Sequence, residues 1–144
     1  MRARAVAVVL AAGAAATGVV VASAQSQAPG LPAYTKGYQG WPTLNRTPVR
    51  GGSPAHRGVK NVYASKRRTG ARFPEGTVIV KTIARPGDRP ARPSQVAVMR
   101  KTRGRWRFVE YQLSGSRYTV LAQGQLCVSC HVQARATDFV FTKR

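Results

Sequence analysis

The chain's only two cysteines stand in Cys127-Val128-Ser129-Cys130-His131, with a histidine directly after the second thiol. In a C-x-x-C-H segment two thiols can add across the vinyl groups of a haem, while the adjacent histidine reaches the iron from the same short helical stretch. The expected cofactor is therefore one covalently attached haem c. Cys127 and Cys130 would be its attachment points and His131 its metal ligand. Two other chemistries use the same spacing. A redox dithiol or disulfide is one, but such a pair usually opens a helix after a strand in a βαβ unit, and no such unit is readable here. Zinc is the other, and His56 is the only further histidine that could complete a nitrogen and sulfur set.

The place of the motif narrows the class. Thirteen residues follow His131 and none is Met, which disfavours the small helical electron carriers that place the motif near the mature N-terminus and an axial Met far downstream. Four-helix sensor-type cytochromes do carry a C-terminal motif, but the prolines and period-two runs of this chain exclude a bundle.

The elements that must position the motif read as strands. Val59 to Ala64 is a fair strand, and Thr77 to Thr82 a stronger one by its β-branched content. Gln95 to Lys101 and Arg105 to Tyr111 form a hairpin around Thr102-Arg103-Gly104. Alternation along the second arm puts Trp106, Phe108 and Glu110 on one face. Arg117 to Leu121 and Phe139 to Thr142 are shorter strand candidates. Ala64 to Ala71 is a candidate helix, and a short helical turn is expected around Cys127 to Ala134. Five prolines between residues 25 and 55 forbid long helices there, leaving Leu31, Tyr34, Tyr38, Trp41 and Leu44 as anchors of a wrapping lead-in. Three prolines between Arg85 and Ser94 mark a second loop. The fold class is mainly β (α+β), an antiparallel sheet with one or two short helices and the haem-attachment motif near the C-terminus.

The 144 residues carry 24 Lys and Arg against 4 Asp and Glu. Residues 5 to 22 are apolar or small apart from one Thr, follow Arg2 and Arg4, and lead into Ala22-Ser23-Ala24, the small-x-small pattern of a signal peptidase site. Residues 1–24 are expected to be a signal peptide and residues 25–144 a single haem domain. An uncleaved anchor is the competing reading, weakened because Ala and Gly contribute little transfer energy. Export to the periplasm or outside the cell also supplies the route that covalent haem attachment needs. A strong basic balance usually points to nucleic acid, but here the bases are scattered, no nucleic-acid module is visible, and the chain is exported. A solvated basic surface remains, suited to an acidic redox partner through long-range steering.

Several runs together resemble the cytochrome P460 family and its cytochrome c′-beta relatives. They are Tyr38-Gln-Gly-Trp41, Val59 to Ala64, Phe73-Pro-Glu-Gly-Thr-Val-Ile-Val-Lys81, Val96 to Lys101, Trp106 to Tyr111, Cys127 to His131 and Asp138-Phe-Val-Phe141. The resemblance spans about residues 38 to 142. It implies a homodimeric antiparallel sheet, a five-coordinate haem, and chemistry on small nitrogen species. Some members oxidise hydroxylamine, and others bind nitric oxide or carbon monoxide without turnover. A periplasmic electron carrier is the third functional class.

On this resemblance His131 is the proximal ligand. Met99 and His56 are rivals for the sixth position, Met99 more simply read as strand core packing and His56 as a loop side chain that is solvated or bonded to backbone. Lys81 matches a lysine that the family's enzymes link to the haem edge. Alternation places it with Thr77 and Ile79, opposite Val78 and Val80, and a link would need an unprotonated, desolvated amine. The family's hydroxylamine oxidisers place a carboxylate shortly before the motif, but here Ala122, Gln123 and Gln125 occupy that stretch. Glu110 is the substitute if its strand faces the site, with pairing to one of the many arginines as its alternative use. The expected outcome is ligand binding with weak or no hydroxylamine oxidation.

Overall fold

A computed structural model describes residues 29–51 and 54–141; the expected signal peptide and its cleavage site lie outside the described residues. Five strands, β1 (Val59–Ala64), β2 (Val78–Ala84), β3 (Gln95–Thr102), β4 (Arg105–Ser114) and β5 (Arg117–Gln123), form one antiparallel meander in the order β1-β2-β3-β4-β5. One helix, α1 (Gln125–His131), follows β5 and runs into a 3₁₀ segment, Val132–Thr137. The architecture is mainly β, as the periodicity implies. Among the described residues no helix is long and apolar enough to cross a membrane.

Period two sorts the side chains onto two faces. One face buries Val78, Val80, Val96, Val98, Tyr111 and Tyr118 under Leu31 and Tyr38 of the lead-in. The other buries Val62, Ala64, Phe73, Ile79, Met99, Phe108 and Val140, with Cys127 and Val128 packed against it. The lead-in wraps the outer edge of β1, where Leu44 N–H donates to the Val62 carbonyl and Val49 and Lys60 exchange backbone hydrogen bonds. That covers an edge which would otherwise pair with another chain.

Three local expectations are corrected. Ala64 to Ala71 is no helix: β1 ends at Ala64, and Thr69 and Arg72 close a tight turn. Lys66, Arg67 and Arg68 offer no apolar stripe to bury, and Gly70, at φ 58°, favours the turn. Thr77 lies outside β2 because its N–H and its hydroxyl both turn back to the Pro74 carbonyl. No strand forms over residues 139–141 either, because Asp138 and Phe139 adopt left-handed conformations, φ 56° and 64°, which turn the chain out of any extended register.

Candidate functional site

Gly124 decides where the cysteine helix begins. Its φ of 66° and ψ of −131° lie in a region open essentially to glycine, and they end β5 abruptly. The Gly124 N–H donates to the Phe108 carbonyl of β4, while its own carbonyl accepts from Cys127 and Val128. Seven residues cannot hold a helix alone. This one is held by Cys127 and Val128 against the Phe108 face of the sheet. At positions i, i+3 and i+4, Cys127, Cys130 and His131 share one helical face. Both cysteines are free thiols, Cys127 half-buried and Cys130 exposed. Burial pushes the Cys127 thiol up, Glu110 adds to the effect, and nearby Lys81 opposes it.

The His131 ring lies between Phe108 (centroids 4.7 Å apart) and Phe141 (5.4 Å). Its Nδ1 is 2.7 Å from the Phe139 carbonyl oxygen. A carbonyl only accepts, so Nδ1 carries the proton and Nε2 keeps a lone pair, the tautomer a metal ligand requires. Desolvation lowers the His131 pKa, and the charges of Lys81 and His56 act in the same direction against the Phe139 hydrogen bond. The ring is therefore neutral at pH 7.

A row that carries two charged side chains crosses the same face. Through the register, Val62, Lys81, Ala97, Glu110 and Ala122 stand side by side on successive strands. Glu110 is thus directly opposite Ala122, within the stretch that lacks the expected carboxylate. Glu110 is buried and its partner is no arginine: His56 Nδ1 lies 3.2 Å from Glu110 Oε1, close enough for an ion pair but without an aligned hydrogen bond. His56 is thereby half-buried against a carboxylate instead of solvated or bonded to backbone. Lys60 holds its loop by donating through Nζ to the carbonyls of Gly51, His56 and Gly58. Lys81, also half-buried, has its pKa lowered to about 8, chiefly by desolvation and also by Lys60, with Glu110 and Cys127 opposing the shift. Alternation grouped Lys81 correctly with Ile79, and the fold puts that face under α1.

Met99 is buried in the same apolar cluster, opposite Ile79 and Phe108 across the strands. Among the described residues no group of three or more His, Cys, Asp or Glu side chains is placed to hold a metal ion. The donor set fits a haem: two free thiols and a neutral imidazole on one helical face, beside exposed apolar Leu126, Val132 and Phe141 that a flat apolar ring would cover.

Sequence reasoning missed four features. These are the His56–Glu110 contact, the Phe139 carbonyl on His131, the ring packing of Phe141, and an ion pair in which Asp138 Oδ2 lies 2.7 Å from Lys101 Nζ. Only Asp138 carried a signal, as one of four acidic residues and one set among apolar neighbours.

A family model described as cytochrome P460 matches residues 35–142. No curated protein and no solved structure matches the chain.

Proposed function

The chain belongs to the cytochrome P460 family, a family of c-type haem proteins, and from that premise we propose that it is an exported monohaem protein that binds small nitrogen species at an open iron site. In this reading residues 1–24 are removed on export, and residues 25–144 act in the periplasm or outside the cell as a homodimer. The Cys127 and Cys130 thiols would hold the haem, each adding S–H across one vinyl group in a redox-neutral step, and His131 would supply Nε2. The haem would supply an iron with one open position for a small ligand such as nitric oxide or hydroxylamine.

The observation that carries this reading is the engagement of every candidate side chain. His131 is oriented by the Phe139 carbonyl with Nε2 free, whereas Met99 is packed in the core and His56 faces Glu110. Among the described residues, neither rival for the second position is free to reach an iron held by His131. The test is the optical spectrum of protein matured with a haem c assembly system. The expected result is a high-spin ferrous spectrum that changes on adding nitric oxide or carbon monoxide. A low-spin ferrous spectrum altered by Met99→Leu or His56→Ala would instead make the protein an electron carrier, for which the basic surface would steer an acidic redox partner.

A second reading, oxidation of hydroxylamine, is favoured by Glu110. Opposite Ala122 and beside His56, this buried carboxylate can accept and return a proton on the face that carries the cysteine helix. The neighbouring Lys81 amine is partly unprotonated near pH 8, the state a nucleophilic amine needs if it is to join the haem edge. Steady-state oxidation with an artificial electron acceptor tests this. Turnover that falls about 10²-fold in Glu110→Gln would support the oxidase. Negligible wild-type turnover with intact nitric oxide binding would leave the protein a binder.

A further inference from the structure

The turn at Asp138 and Phe139 is left-handed at two successive residues, neither of them glycine, and the bulky Phe139 adopts that region rarely. A strained backbone persists only where its surroundings over-determine it. Asp138 Oδ2 accepts from Lys101 Nζ (2.7 Å) and from the Phe73 N–H (2.8 Å). Lys101 Nζ also donates to the Phe73 carbonyl (2.9 Å), so one residue of the Phe73 loop is gripped through both backbone groups. The Phe139 N–H donates to the Ala134 carbonyl (2.8 Å), closing the turn from its other side. The Phe139 carbonyl that emerges is the one that accepts from His131 Nδ1. Lys101 and Asp138 are both buried, and burial alone would raise the Asp138 pKa. Its hydrogen bonds from Lys101 and Phe73 outweigh burial and hold the carboxyl below its usual range.

A turn needed only to reverse the chain direction could use glycine and no buried ion pair. We infer that Asp138 is a positioning residue for His131: clamped by Lys101 and Phe73, it fixes the strained turn that aims the Phe139 carbonyl at Nδ1. The clamp thereby sets the tautomer and electron-donating strength of Nε2. The inference rests on the haem reading only for what Nε2 holds.

The test uses the full mature chain, haem-loaded, as wild type, Asp138→Asn, Asp138→Ala, Lys101→Arg and, as a control on overall stability, Ile83→Val. Two readouts are taken on the same samples: solvent exchange of the His131 Nδ1–H by NMR, and the iron–histidine stretching band by resonance Raman. In Asp138→Asn and Asp138→Ala the Nδ1–H is expected to exchange at least tenfold faster and the band to move to lower wavenumber. Lys101→Arg, which keeps the cation, is expected to stay near wild type. Ile83→Val is expected to lower Tm and move neither readout. An Asp138→Asn protein with lowered Tm but wild-type Nδ1–H exchange overturns the inference and leaves Asp138 purely structural. If Asp138→Ala does not fold, Asp138→Asn decides. A wild-type chain that carries no thioether-bound haem would defeat the haem reading, while Nδ1–H exchange would still decide the role of Asp138.

Discussion

The two faces of the sheet are built on opposite principles. The face covered by Leu31 and Tyr38 is closed with Val78, Val80, Val96, Val98 and tyrosines, and no charged side chain is buried there among the described residues. The face under α1 has an apolar cluster of similar kind, yet Lys60, Lys101, Glu110 and Asp138 are all buried on or against it, with Lys81 half-buried among them. Hydrophobic burial alone would hold both faces. A buried ion pair is a poor source of net stability, because desolvation offsets most of the attraction. Concentrating such groups on one face therefore sets it apart from the other, where no charged side chain is buried among the described residues.

The largest way to break the contrast is to remove the thiols. Cys127→Ala with Cys130→Ala should abolish thioether attachment: acid-denatured protein should lose all haem to an organic phase, whereas wild type should run heavier by one haem mass. Breaking the buried pair comes next. Lys101→Met leaves Asp138 buried without its cation and should cost about 3 kcal/mol in denaturant unfolding. The pH dependence sharpens this. A carboxyl with a depressed folded pKa contributes stability above its unfolded pKa of about 3.9, and that contribution is lost as pH falls through the folded pKa. Asp138→Asn should flatten that part of the acid limb, read as the urea midpoint between pH 7 and pH 2.

On the opposite face Val80→Ala should cost about 2 kcal/mol by cavity formation, and it should leave the haem spectrum and nitric oxide binding unchanged. A spectral change there would erase the distinction between the faces. The smallest effect has the opposite sign. Folded Lys81, with a pKa of about 8, binds fewer protons than the unfolded lysine between pH 8 and 10.5. Stability therefore rises with pH through that window, and the penalty is complete below it. In the haem-free chain Lys81→Met should stabilise by about 1 kcal/mol at pH 7, a gain that vanishes above pH 10.5.

Much of this was local and therefore legible in the residues. Alternation located the strands within a few residues, β1 at its full span, and it put Trp106, Phe108 and Glu110 on one face and Lys81 with Ile79. The five-residue motif carried the thiol–imidazole set, because i, i+3 and i+4 spacing is fixed by the helix itself. Two errors were local, the Gly70 turn and the Thr77 bonds to Pro74, and the third fell where a local pattern met a contact from far along the chain. Phe139 to Thr142 has strand composition, but the bonds from Lys101 and Phe73 to Asp138 override it.

The sequence by itself determined the sheet, its two-sided pattern and the thiol–imidazole set, since each depends on spacings of two to four residues. Only the tertiary structure decided which face the cysteine helix covers, that Glu110 meets His56 instead of an arginine, and that a carbonyl eight residues beyond His131 orients its ring. The first joins residues 54 apart, His56 and Glu110, and the turn that presents the Phe139 carbonyl is held by a contact 37 residues long, between Lys101 and Asp138. Backbone periodicity carries no information over such separations, so the meeting of these residues is settled only when the strands pair in register and the desolvated polar groups find the partners within reach.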